Sequence, residues 1–111
     1  MVVTTEHELF NELVSEICKI YGDNLISIIL YGSVARNTAT EDSDIDIALL
    51  IKKNDDEMYD RWLDVAVGLD LRYDQLITTS LIEEDRFNEM KDKMPYYINI
   101  DKEGIVLWKA A

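Results

Sequence analysis

The 111-residue chain carries 23 acidic against 11 basic side chains, a formal net charge of −12. A phosphate backbone repels a surface of that sign, so general nucleic-acid binding is not expected. Hydrophobic residues make up 48% of the chain, which suits a globular core rather than disorder. No apolar run reaches the roughly 20 residues of a membrane span. The length fits one domain, residues 1–111. Met1-Val2-Val3-Thr4-Thr5-Glu6 has neither the basic region nor the apolar stretch of a signal peptide. Cys18 is the only cysteine, so no internal disulfide forms. A cytoplasmic location is the expectation from these features together.

Taken in chain order, the apolar spacing of Leu9, Phe10, Leu13, Val14, Ile17, Ile20 and Tyr21 predicts an amphipathic helix over about 6–21. Gly22-Asp23-Asn24 ends it. Leu25 to Tyr31 is an isoleucine-rich run, a strand buried on both faces. A polar, turn-like stretch over 37–43 leads to a second strand, Ile45 to Ile51. Asn54-Asp55-Asp56 offers caps for a second helix, marked by Met58, Trp62, Val65, Ala66 and Leu69 and running to about 71. Asp74 to Thr79 reads as a third strand. Ser80 is placed to cap a helix through about Met90. Pro95 opens a further helical turn or two that Gly104 stops, and Ile105 to Trp108 forms a short last strand. The fold class is α/β (α+β): a small mixed sheet flanked by helices.

Two short segments carry chemistry. In Ser43-Asp44-Ile45-Asp46-Ile47, the two-residue period of a strand sends Asp44 and Asp46 to one face and Ile45 and Ile47 to the other. Two carboxylates ~4 Å apart repel by about 4 kcal/mol at an effective dielectric of about 20. A divalent cation offsets that repulsion, and hard oxygen ligands suit magnesium. A strand end that simply points both acids into solvent also accounts for the pattern. In Tyr31-Gly32-Ser33-Val34-Ala35-Arg36, a glycine straight after a buried strand permits a tight turn and close backbone approach. A helix starting there aims N–H groups outward, with the Ser33 hydroxyl and Arg36 nearby, a site for phosphate. The plain alternative is an ordinary strand-to-helix turn.

Gly32-Ser33, ten residues, then Asp44-x-Asp46 resembles the signature of the DNA polymerase β-like nucleotidyltransferase superfamily, and the flanking residues resemble its minimal nucleotidyltransferase branch. The resemblance implies a polymerase β-like palm fold, a nucleoside triphosphate held at Gly32, Ser33 and Arg36, and magnesium held by Asp44 and Asp46. Such enzymes use a third carboxylate on a neighbouring strand. Asp74, at the start of the expected third strand, is the candidate, with Asp70 as the fallback if the helix ends earlier. The implied chemistry is transfer of a nucleoside monophosphate with two Mg2+ ions and ATP as the substrate of choice. His7 is the only histidine, which argues against a histidine-based triad or a zinc site. Trp62 is expected in the core, whereas Trp108 and Tyr96-Tyr97 suit either packing or an interface.

Within that branch, stand-alone domains are paired with a helical HEPN protein, an RNase-like toxin. The resemblance implies an antitoxin that transfers AMP to a tyrosine of this partner in a hetero-oligomer. Larger relatives hold the acceptor with a second domain, so acceptor recognition here is expected to come from another chain. An acidic antitoxin complements a cationic RNase site. Two other readings stand beside it: a small-molecule nucleotidyltransferase subunit, whose acidity suits a cationic aminoglycoside, and a non-catalytic antitoxin that blocks its partner by binding.

Overall fold

The computed structural model describes the backbone of residues 2–36 and 43–111, and side chains from His7 onward within them. The turn expected over 37–43 lies outside the described residues except for Ser43. Helix α1 spans Val2–Tyr21 and ends in a 3₁₀ turn at Gly22–Asn24, leading to β1 (Leu25–Tyr31) and the single helical turn α2 (Gly32–Ala35). Then come β2 (Ile45–Ile51), α3 (Asp56–Tyr73), β3 (Ile77–Glu83), α4 (Glu84–Met90), α5 (Pro95–Glu103) and β4 (Ile105–Lys109).

The four strands lie in the order β3-β2-β1-β4, with β1 antiparallel to both β2 and β4, and β2 parallel to β3. A parallel pair needs a long crossover, and α3 supplies it. The central strands are apolar because both faces are covered. On one face, Ile45, Ile47, Leu49 and Ile51 of β2 join Leu25, Ile28 and Leu30 of β1 under Leu13 and Ile17 of α1 and Trp62, Ala66 and Leu69 of α3. On the other, Ala48 and Leu50 pack with Ile29, Ile82, Phe87 of α4 and Ile100 of α5. This is the mixed sheet with flanking helices expected from the sequence.

Local chemistry sets the element ends. The Asp55 carboxylate accepts the Met58 N–H at 3.0 Å, an N-cap for α3. Trp62 is fully buried, and its indole N–H donates to the Thr79 hydroxyl at 2.9 Å, joining α3 to β3. Glu12 of α1 accepts from the Tyr73 hydroxyl at 3.0 Å and pairs with Arg72, which clasps α1 to the end of α3. At Gly104 an added Cβ would strike the Ile100 carbonyl and the Ile29 side chain, so the bare α-carbon lets the chain leave α5 against the sheet.

Two expectations are corrected. The third strand runs Ile77–Glu83 rather than Asp74 to Thr79, because α3 continues to Tyr73 and Asp74 forms its left-handed C-cap at φ 53°. Ser80 caps no helix. It sits in β3 opposite Ala48, and α4 begins four residues later at Glu84. Sheet register here overrides a local capping preference. Cys18 is half-buried, with its thiol pushed up by burial, and His7 is exposed.

Trp62→Ala is expected to lower the unfolding free energy by about 3–5 kcal/mol, as for a fully buried aromatic. Asp55→Ala should cost about 1 kcal/mol through the lost cap. Chemical denaturation of both variants checks this, and equal losses would show that the Trp62 contact contributes no more than a surface cap.

Candidate active site

The ends of β1 and β2 build the site together. Antiparallel pairing sets Tyr31 directly across from Asp46, so the turn after β1 meets the start of β2. Gly32 opens that turn at φ 77°, a left-handed conformation that favours glycine. A Cβ at Gly32 would collide with Oδ2 of Asp46. The carboxylate therefore rests against the bare α-carbon of the glycine. Ser33 is half-buried in α2. With only four residues, α2 has little macrodipole, and what it presents is a local set of backbone N–H groups.

Asp44 is exposed just ahead of β2, and Asp46 is half-buried within it. Ile45 and Ile47 are buried on the opposite face, as the strand period requires. Burial and then the charge of Asp44 push the Asp46 carboxyl above its ordinary value, while Arg36 pulls it down. Arg36 also pairs with Glu103 of α5 at 3.8 Å. The structure thus brings Gly32, Arg36, Asp44 and Asp46 into one electrostatic neighbourhood.

It does not bring Asp74 there on a strand. Asp74 is exposed at the C-cap of α3, and the β3 residue in register with Asp46 is Thr78. Asp70, one turn earlier, is half-buried and accepts the Ile77 N–H at 2.9 Å, which ties α3 to the start of β3. Burial raises its carboxyl and the Ile77 hydrogen bond lowers it, with a further upward push from Asp44. Of the two candidates, Asp70 is the one that is held to the start of β3, through the Ile77 N–H. Among the described residues no group of three or more His, Cys, Asp or Glu side chains is gathered for a metal. Asp44 and Asp46 suit a divalent cation as a pair: their oxygen donors are hard, and their mutual repulsion is what a cation relieves.

Sequence reasoning missed the far wall of the site. A cleft of about 200 Å³ runs between Tyr31, Gly32 and Arg36 on one side and Tyr96, Asn99 and Glu103 of α5 on the other. Tyr96 donates to the Ser80 hydroxyl at 2.7 Å, and Tyr31 lies 2.9 Å from Ser80 and 3.2 Å from Tyr96. Three hydroxyls in this arrangement can each donate once and accept once. Burial is the main cause pushing the Tyr31 phenol up to about 12, so it keeps its proton at neutral pH. The signal for this wall was present as Tyr96, Asn99 and Glu103 at helical spacing, one polar face of α5.

Chemically, the arrangement can seat an anion against the Gly32 turn and Arg36, beside two carboxylates that concentrate cations. The model of the nucleotidyltransferase domain family matches residues 10–105, which include both motifs. The Methanocaldococcus jannaschii protein MJ0604, which carries the provisional name protein adenylyltransferase, is 33% identical over 103 residues, covering 93% of this chain and 98% of that protein. In fold, the chain is similar to a toxin–antitoxin crystallised with AMP-PNP, at TM-score 0.55 and 20% identity, covering 89% of this chain and 73% of that one. It is likewise similar to the structure of a tri-AMPylated Shewanella oneidensis HEPN toxin in complex with MNT antitoxin, at TM-score 0.53 and 19% identity over 94% of this chain and 72% of that one. By the span of the family match and the likeness to its full-length relative, the chain belongs to the nucleotidyltransferase domain family.

Proposed function

We propose that this nucleotidyltransferase is a metal-dependent protein adenylyltransferase that moves AMP from ATP to a tyrosine hydroxyl of a HEPN-domain partner, acting as the antitoxin of the pair. The observation that carries the reading is the seat of Asp46 on Gly32, which joins the turn after β1 to one acid of the pair. The provisional name of the full-length relative and the toxin–antitoxin assemblies among the fold neighbours support the acceptor class.

In the reaction, a bond forms between the acceptor oxygen and the α-phosphorus, and the bridge to the β-phosphate breaks. Pyrophosphate leaves and the hydroxyl proton passes to a nearby base. Arg36 faces the negative charge that develops on the phosphates, and Gly32 lets the backbone approach them closely. A divalent cation held by Asp44 and Asp46 would neutralise the triphosphate and lower the pKa of the acceptor hydroxyl. We assign the third acid to Asp70, the fallback candidate, which the Ile77 N–H holds at the start of β3.

Asp44→Asn or Asp46→Asn is expected to cut AMP transfer by at least about a hundredfold, since loss of a cation ligand removes several kcal/mol of charge stabilisation. Mass spectrometry of a co-purified HEPN partner reads the added AMP. Without metal, Asp46→Asn should melt higher than the parent at neutral pH. The raised native pKa means that the folded chain holds this proton more tightly than the unfolded chain does. Parent stability therefore falls as pH rises from the ordinary aspartate value through the raised one, and the gap between the two proteins closes in acid. Full transfer by either variant ends the metal-site reading. Equal growth rescue by an Asp44→Asn/Asp46→Asn chain, with no AMP on the partner, would leave an antitoxin that acts by binding.

Asp70→Asn keeps an oxygen to accept the Ile77 N–H, so it tests charge rather than fold. We expect a loss on the order of a hundredfold in the rate of transfer, with Asp74→Asn at the parental rate. The reverse order of effects in single-turnover assays would restore Asp74 as the third acid.

A further inference from the structure

We propose that the cleft between α5 and the end of β1 is the nucleoside pocket of this site, with Tyr96 as the platform for the base and Asn99 as the group that selects adenine. The inference rests on the reading of Gly32 and Arg36 as the triphosphate end. Those two residues, with Tyr31, line one side of the cleft of about 200 Å³, and Tyr96 and Asn99 line its α5 side. A nucleotide with its phosphates at Gly32 and Arg36 therefore carries its nucleoside toward α5.

Tyr96 is held as a platform should be. Its hydroxyl donates to Ser80 at 2.7 Å, and its ring meets Tyr31 edge-on at 6.0 Å and Tyr97 at 5.3 Å. Yet the residue remains 42% exposed. A ring with few torsions, already fixed by its neighbours, loses little freedom when a base stacks on it. Stacking alone tolerates any base. Asn99 lies three residues on, on the same face of α5, and lines the same cleft. Its amide offers one acceptor and one donor group side by side. Adenine matches that pair through its N6 amino group and N7, whereas guanine presents two acceptors, O6 and N7, on the same edge. Glu103, which also lines the cleft, is engaged with Arg36 at 3.8 Å.

Calorimetric titration of the full chain with magnesium and three probes tests this: AMP-PNP, GMP-PNP and inorganic tripolyphosphate. The unsubstituted chain should prefer AMP-PNP to GMP-PNP. Tyr96→Leu should weaken AMP-PNP roughly tenfold, the scale of a lost base–aromatic stack, and leave tripolyphosphate unchanged. Tyr96→Phe keeps the ring and should retain AMP-PNP binding. Asn99→Ala, at an exposed helical position, should erase the preference for AMP-PNP without touching tripolyphosphate. If tripolyphosphate binds and AMP-PNP is indifferent to both Tyr96→Leu and Asn99→Ala, the pocket assignment is overturned while the phosphate reading stands. If neither tripolyphosphate nor AMP-PNP binds the unsubstituted chain, the reading of Gly32 and Arg36 falls and this inference falls with it.

Discussion

The contact on which the rest of the site depends is the carboxylate of Asp46 lying against the bare α-carbon of Gly32. It requires three things at once. The β1–β2 register must set Tyr31 across from Asp46. The chain must turn at Gly32 with a positive φ. Ile45 and Ile47 must anchor β2 from the opposite face, where both are buried among residues of α1 and α3. A shift of one residue in register would turn the acids into the core and the isoleucines into the cleft. The apolar core is thus what aims the charges.

That placement has an electrostatic cost. Asp46 is partly withdrawn from water, and the Asp44 charge works against its ionisation. Asp70 feels the same neighbour from the other side of the β2–β3 junction while one of its oxygens serves the Ile77 N–H. Raised carboxylates at the end of a sheet are a common mark of a functional cleft, although structural networks raise them too. Here one of the raised groups, Asp46, rests on Gly32, which also lines the cleft walled by α5, and that geometry gives its shift weight.

The parts of this arrangement legible in the sequence are those set by short-range pattern. β1 and β2 follow from continuous apolar runs, and the placing of Asp46 on the face opposite Ile45 and Ile47 follows from the two-residue period. The buried position of Trp62 follows from helical spacing. What could not be read is what the sheet decides. Asp74 begins a plausible strand on paper, but the last turn of α3 claims it as a left-handed cap, and aspartate tolerates that conformation better than most residues. Ser80 has the look of an N-cap, yet it pairs with Ala48, and its hydroxyl meets those of Tyr31 and Tyr96, the latter from 16 residues away. The wall formed by α5 joins residues 65 positions apart, Tyr31 and Tyr96, and no local pattern announces a contact at that separation.

Charge links this cleft to the proposed function. The chain as a whole is strongly acidic, at −12. Of the cleft-lining residues Tyr31, Gly32, Arg36, Tyr96, Asn99 and Glu103, Arg36 is the basic one, and its charge is shared with Glu103. A triphosphate entering beside Asp44 and Asp46 meets more negative charge than Arg36 can offset. Backbone dipoles on the four-residue α2 do not balance several formal charges. Under the proposed function, a divalent cation held by Asp44 and Asp46 would supply the positive charge that Arg36 lacks. On the proposed reading, the acidic strand end would disfavour the bare triphosphate and call for a cation between its carboxylates and the phosphates.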